Sequence, residues 1–254
     1  MMAAATPAKL YQVMESLVNK GAAGMLLTGG SNLHNEIAYG PYFSILEEFK
    51  TRHPSFKIAM HTALVDAAQA RRIAASGIDV AMLDIIGAQD TITQVYHLKR
   101  TVADFEASLA HLLAAGLRVV PHIVVGLHYG RLLGEWEALS LVQKHQPHGL
   151  VLVVVMPQYA AVRRPFVTPN PHEVGRFFRE ARRSLPHTPL YLGCARPAGT
   201  TKAILDCYAV LAGIDAIAYP AEGCVALAKQ YYPQVNVQHS CCAMGWEHSL
   251  STRI

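Results

Sequence analysis

The chain has 254 residues, 52% of them hydrophobic and 16% charged, with a net charge of +4. That is enough apolar sequence for one large core, and the length suits a single α/β barrel. Arg71-Arg72, Arg163-Arg164 and Arg182-Arg183 are the only adjacent arginine pairs, which argues against a nucleic-acid stripe. No apolar run approaches the roughly 20 uncharged residues of a membrane span.

Residues 1–7 lack the basic and apolar parts of a signal peptide. The five cysteines, at 194, 207, 224, 241 and 242, are an odd number. The expectation is a soluble, cytoplasmic protein with reduced thiols, some of them available to a metal.

Read in order, the sequence opens on a helix over 8–20, where Leu10, Val13, Met14, Leu17 and Val18 recur at spacings of three and four behind Thr6 and Pro7. Met25-Leu26-Leu27-Thr28-Gly29-Gly30 follows, an apolar run ending in two glycines. A strand covered on both faces reads this way. Helix 41–52 then leads to strand 57–61, helix 63–76 to strand 79–86 and helix 102–115 to strand 118–125. Helix 135–145 leads to strand 150–155, helix 171–184 to strand 190–194 and helix 201–212 to strand 216–219. A helix over 221–231 and a last candidate strand over 235–239 close the series.

Such alternation predicts parallel βα units with right-handed crossovers. Eight strands predict a parallel β/α, TIM-like barrel. Because the chain begins with a helix, either strand 235–239 completes the ring or a first strand lies upstream of Met1. We expect a barrel domain over 1–234 and a C-terminal strand with a Cys-rich tail over 235–254. No internal repeat is evident beyond the alternation. The irregular loop 158–169 is expected at the C-terminal mouth, where barrels place their ligands.

The strand ends and the loops after them supply Thr28-Gly29-Gly30-Ser31, His61-Thr62, Asp84 with Gly87, Gly126 to Gly130, Met156-Pro157, Cys194 with Arg196, Tyr219-Pro220, and His239 with Cys241-Cys242. A Schiff-base aldolase needs a desolvated strand lysine, and Lys57 stands at the wrong end of its strand. A metal-dependent hydrolase would draw on His61, His128, Asp84 and His239, although the close His pair on one strand is missing. Glycine turns and main chain exposed at strand ends suit an adenosyl cofactor.

Thr6-Pro7, Gly29-Gly30, His61-Thr62, Leu83-Asp84-Ile85-Ile86-Gly87, His122 to Gly130 and Gly193-Cys194-Ala195-Arg196-Pro197 occur in this order. On these residues the chain resembles the radical S-adenosylmethionine superfamily. Within it the resemblance is to the biotin-synthase and lipoyl-synthase branch, and in particular to archaeal-type two-component lipoyl synthases. It extends over nearly the whole sequence.

The resemblance implies S-adenosylmethionine as cofactor, with Thr28, Gly29 and Gly30 at its methionine end, Asp84 at the ribose, and Gly126, Met156 and Pro157 near the adenine. His61, His128 and Arg196 would face the substrate. It also implies a [4Fe-4S] cluster, a 5'-deoxyadenosyl radical that abstracts hydrogen, and a transferase reaction of the sulfur-insertion type. The implied partners are a small-molecule or lipoyl-carrier substrate and a second radical S-adenosylmethionine subunit, with no nucleic acid and no membrane.

Each residue also has a plainer reading. Gly29-Gly30 can be a simple turn, His61 and His128 satisfied mouth histidines, Asp84 a cap, and Cys194 and Cys207 small buried hydrophobes. Cys241 and Cys242, with Cys224, are the candidate metal ligands.

Three features depart from the superfamily pattern. Ser31 stands where an acidic residue is common, only Cys194 sits on a strand end as an extra biotin-synthase cluster would require, and no C-x3-C-x2-C motif is present. Cluster ligation requires such thiolates. Two expectations follow: a sequence truncated before its cluster-binding segment, or a cluster-less barrel subunit that binds S-adenosylmethionine or a partner without catalysis.

Overall fold

The structure, a computed structural model, describes residues 2–157 and 166–238. It is an α/β fold in which every strand ladder is parallel. The chain divides into two compact units, Met1–Leu83 with Asp104–Val119, and Asp84–Ala103 with Val120–Ile254. No helix among the described residues is long and apolar enough to cross a membrane.

The first unit contains α1 (Pro7–Asn19), β1 (Gly24–Leu27), a 3-10 turn (Gly40–Tyr42), α2 (Phe43–Arg52), β2 (Lys57–His61), α3 (Ala67–Ala75) and β3 (Val80–Met82). Its sheet has the order β1-β2-β3, and Ala81 adds one parallel bridge to Val119. Thr6 Oγ1 accepts the Lys9 N–H at 3.2 Å, so α1 starts where the Thr-Pro pair places it. Leu10, Val13 and Met14 form its buried stripe. Ile58, Ala59, Met60, Val80, Ala81 and Met82 are all buried, as a sheet covered on both faces requires.

The second unit contains α4 (Gln89–Gln94), β4 (His122–Val125), α6 (Glu135–His145), β5 (Leu150–Val154), α7 (Pro171–Ser184), β6 (Leu190–Leu192), α8 (Thr200–Ala212), β7 (Ala216–Ile217) and α9 (Cys224–Tyr231). Its sheet order is β4-β5-β6-β7. Between α4 and α6 in sequence comes α5 (Val102–Ala114), all but its first two residues in the first unit.

Several boundaries differ from the sequence expectation for identifiable reasons. The helix expected from residue 63 starts at Ala67. Asp66 and Gln69 close a reciprocal capping box there, and Ala63, at φ 53°, instead bridges to Glu36. The strand expected over 118–125 shrinks to β4, because Pro121 has no N–H to continue the ladder, although its carbonyl still accepts from Val151. The short helix α4 went unexpected. The last expected strand is corrected: residues 235–238 form no strand, and Val237 is 77% exposed with no face to bury. His239 lies outside the described residues.

One local device occurs in both units. Gly77-Ile78-Asp79 and Gly213-Ile214-Asp215 each follow a helix, and both glycines have left-handed φ values, 79° and 76°. Asp79 N–H donates to Ile58 O (3.0 Å) while its Oδ2 accepts from Ile58 N (2.8 Å) and Lys50 Nζ (2.9 Å). Asp215 N–H donates to Leu190 O (2.9 Å), and its Oδ2 accepts from Leu190 N (2.8 Å) and Arg182 Nη2 (2.5 Å).

Each cation also binds carbonyls of the loop before the neighbouring strand, Pro54 and Phe56 for Lys50, and Leu185, Pro186 and Thr188 for Arg182. The carboxylate thus fixes register at the strand's N-terminal end. Asp79→Ala and Asp215→Ala are each expected to cost roughly 2 kcal/mol, the range for hydrogen bonds to charged groups, measured by urea unfolding. A loss below about 0.5 kcal/mol, within the scatter of ordinary surface substitutions, would show that the clamp is dispensable.

Candidate functional site

Backbone strain marks the C-terminal ends of the strands. Among the described residues, the non-glycine positions with left-handed φ are Asn35, Ala63, His97, Tyr129, Gln146 and Tyr219. Gln146 is a helix C-cap and His97 lies just past α4; Asn35, Ala63, Tyr129 and Tyr219 lie in the segments that follow β1, β2, β4 and β7. Strain of this kind collects at ligand sites, and barrels bind ligands at this end.

In the first unit, Thr28, Gly29 and Gly30 are exposed after β1. A Cβ at Gly29 would come within 2.9 Å of Ile37, whereas Gly30 has nothing within 4 Å. Neither has left-handed φ, so Gly30 is open to a ligand rather than required by its own backbone. The loop beyond is folded on Asn32, whose Oδ1 accepts from His34 N (2.8 Å) and Glu36 N (3.0 Å). His61 is half-buried, and its carbonyl accepts the Tyr39 hydroxyl at 2.8 Å. Burial pushes that phenol well above its ordinary range.

In the second unit the loop after β4 is built around Glu135, which the sequence suggests only as the first residue of a helix. This buried carboxylate accepts four backbone N–H groups: Gly126 (2.7 Å) and Leu127 (3.3 Å) on Oε1, Leu133 (2.7 Å) and Gly134 (3.0 Å) on Oε2. Gly126 and Gly130 have φ values of 81° and 91°, and a Cβ at either would overlap Pro169 or the Val167 carbonyl. A Cβ at Gly87 would likewise overlap the Gly134 carbonyl.

His128 Nδ1 lies 3.2 Å from Thr91 Oγ1, and the Tyr129 hydroxyl donates to Gln94 O at 2.6 Å, so the unexpected α4 supports this loop. Asp84 bridges to His122 and approaches the Tyr96 hydroxyl at 3.5 Å. Burial, and secondarily this carboxylate, push the Tyr96 phenol well up. Met156 and Pro157 are half-buried just past β5.

Arg196 does not face outward. Its side chain is fully buried against Asp206, with Nε to Oδ1 at 2.6 Å and Nη2 to Oδ2 at 3.1 Å, and Nη1 donates to Gly193 O at 2.7 Å. The expectation that Cys194 and Cys207 are buried is corrected, since both are exposed: Cys194 lies past the end of β6, and Cys207 on the outer face of α8. Cys224 is buried at the start of α9. Burial first, then Asp206 and Cys207, push its thiol up to about 11, away from the thiolate a metal needs. Cys241 and Cys242 lie outside the described residues, among which no three His, Cys, Asp or Glu side chains converge to hold a metal.

No protein-family model matches the sequence, and no curated protein matches it. Solved structures do match. HydG, a maturase of the [FeFe]-hydrogenase, superposes with a TM-score of 0.61 and 13% identity over 84% of this chain and 49% of its own. Methylornithine synthase (PylB) gives 0.59 and 11% over 83% and 60%. Streptococcus suis SuiB bound to S-adenosylmethionine gives 0.54 and 10% over 80% and 44%.

The chain shares their fold. It spans about half the length of these structures. At these identities the likeness fixes architecture, and site roles rest on this chain's own geometry.

Glu135→Gln leaves two of the four N–H groups without an acceptor and is expected to cost roughly 1–3 kcal/mol in urea unfolding. Iodoacetamide at about pH 8 is expected to modify Cys194 and Cys207 well before Cys224, whose thiol stays protonated below its raised pKa. Peptide mapping that finds Cys224 alkylated first would contradict its burial.

Proposed function

We propose that the chain is a barrel of the radical S-adenosylmethionine type that binds S-adenosylmethionine at its strand C-terminal ends. The observation that supports this most is the fold likeness to HydG, PylB and SuiB, of which SuiB was solved with S-adenosylmethionine bound. The open backbone at Gly30 fits a ligand approaching the main chain. Thr28, Gly29 and Gly30 would hold the amino-acid end; Asp84, Gly126, Met156 and Pro157 stand as adenosyl candidates on the order of the sequence motifs alone. His61 and His128 remain the substrate-side candidates, whereas the burial of Arg196 favours a positioning role.

A [4Fe-4S] cluster does not fit the residues present. The sequence has no C-x3-C-x2-C motif, and the described residues hold no three-ligand group. The finer reading, lipoyl-type sulfur insertion on a lipoyl-carrier or small molecule with a second subunit in the cytoplasm, rests on the order of the sequence motifs alone. The reading as a cofactor-binding subunit without its own catalysis draws support from the same cysteine inventory. The metal-dependent hydrolase reading lacks a converging ligand set among the described residues.

Titration calorimetry with S-adenosylmethionine tests the proposal. Gly30→Val, which meets no protein atom within 4 Å at its Cβ, should leave the melting temperature unchanged and weaken binding at least about tenfold, ~1.4 kcal/mol. Absence of binding by the native chain sinks the proposal. Anaerobic reconstitution with iron and sulfide then separates the two forms: a cluster absorption band with cofactor cleavage supports the enzyme, and binding without either supports the subunit.

A further inference from the structure

Tyr219, immediately past β7, combines an exposed ring with a strained backbone. The residue is 79% exposed and has φ 47°, a region that bulky L-residues rarely adopt. So exposed a ring offers little packing to hold that conformation. A fully buried ion pair holds it instead. Arg196 Nη2 donates to the Tyr219 carbonyl at 3.1 Å, and Asp206 Oδ2 accepts the Ala221 N–H at 2.7 Å, so the pair grips the backbone on both sides of Pro220.

Lys202, in the first turn of α8, adds a third bond, Nζ to the same carbonyl at 2.5 Å. Among the described residues no carboxylate forms an ion pair with Lys202. Its ammonium group therefore keeps two donors at the Tyr219 carbonyl for a further partner.

Desolvating an ion pair is expensive. One that fixes a solvent-exposed aromatic in a strained pose is the arrangement expected of a contact organised in advance for a ligand. We infer that Tyr219 and Lys202 form a recognition site for a small anionic molecule with a planar ring. The ring packs on Tyr219, and the carboxylate or phosphate pairs with Lys202. Arg196 and Asp206 act as positioning residues through the 219–221 backbone. This site stands independently of cofactor binding at Gly30.

The test uses the full chain and two ring-bearing anions, adenosine 5'-monophosphate and benzoate, each beside its neutral counterpart, adenosine and benzamide. Calorimetry is expected to show at least one anion binding about tenfold tighter than its counterpart; which of the two binds distinguishes phosphate from carboxylate. Tyr219→Phe should keep that affinity, Tyr219→Asn should lose about tenfold, and Lys202→Gln should abolish the preference for the anion. Asn tolerates left-handed φ, so Tyr219→Asn should leave the melting temperature level or raised. Failure of both anions to bind, binding unchanged in Tyr219→Asn, or a sharp fall in its melting temperature, which would show a structural ring, each overturns the inference.

Discussion

Register at the N-terminal strand ends governs where everything at the opposite ends falls. In a parallel sheet with both faces buried, a slip of one residue turns every side chain to the wrong face. Asp79 and Asp215 prevent it by gripping one residue of the neighbouring strand through both its N–H and its C=O. A helix cation on the same carboxylate ties in the preceding loop, so helix, loop and two strands share one anchoring point. At the other ends the loops carry strained residues and close glycine contacts. Such a division between the two ends of the strands suits a β/α fold.

Much of this architecture is legible in the sequence because its signals are local. Thr6-Pro7 and Asn170-Pro171 mark two helix starts within a residue, and α6 has the expected bounds because Gly134 and Gln146 flank a clear apolar period. Illegible features depend on partners distant in the chain. Pro121 reads as part of a strand until its missing N–H is set in a ladder. Val235 and Val237 alternate like a strand yet find no sheet to pair with. Asp79 and Asp215 look like ordinary pre-strand residues until Ile58 and Leu190 are seen beside them.

The candidate site divides along the same line. Its positions were readable, since residues after strand ends can be counted off the alternation. Their roles were not. Arg196 looks like a mouth cation, but Asp206, ten residues on along α8, draws it fully inward. Glu135, the principal support of the β4 loop, sits at the start of α6 with no sequence signal beyond a glycine before it. Thr91 went unseen because a helix as short as α4 has too few turns to show a period.

The Glu135 cradle has a consequence for variation. All four of its bonds go to backbone N–H groups, and a main-chain amide is the same whatever side chain it carries. The loop from Gly126 to Gly134 is therefore shaped largely without reference to the side chains at 127, 131 and 132, while Gly126, Gly130 and Gly134 are constrained by close contacts. Those three positions are free to drift while the scaffold stays put. Related chains can thus exchange residues there and acquire different ligand preferences without first solving a new loop.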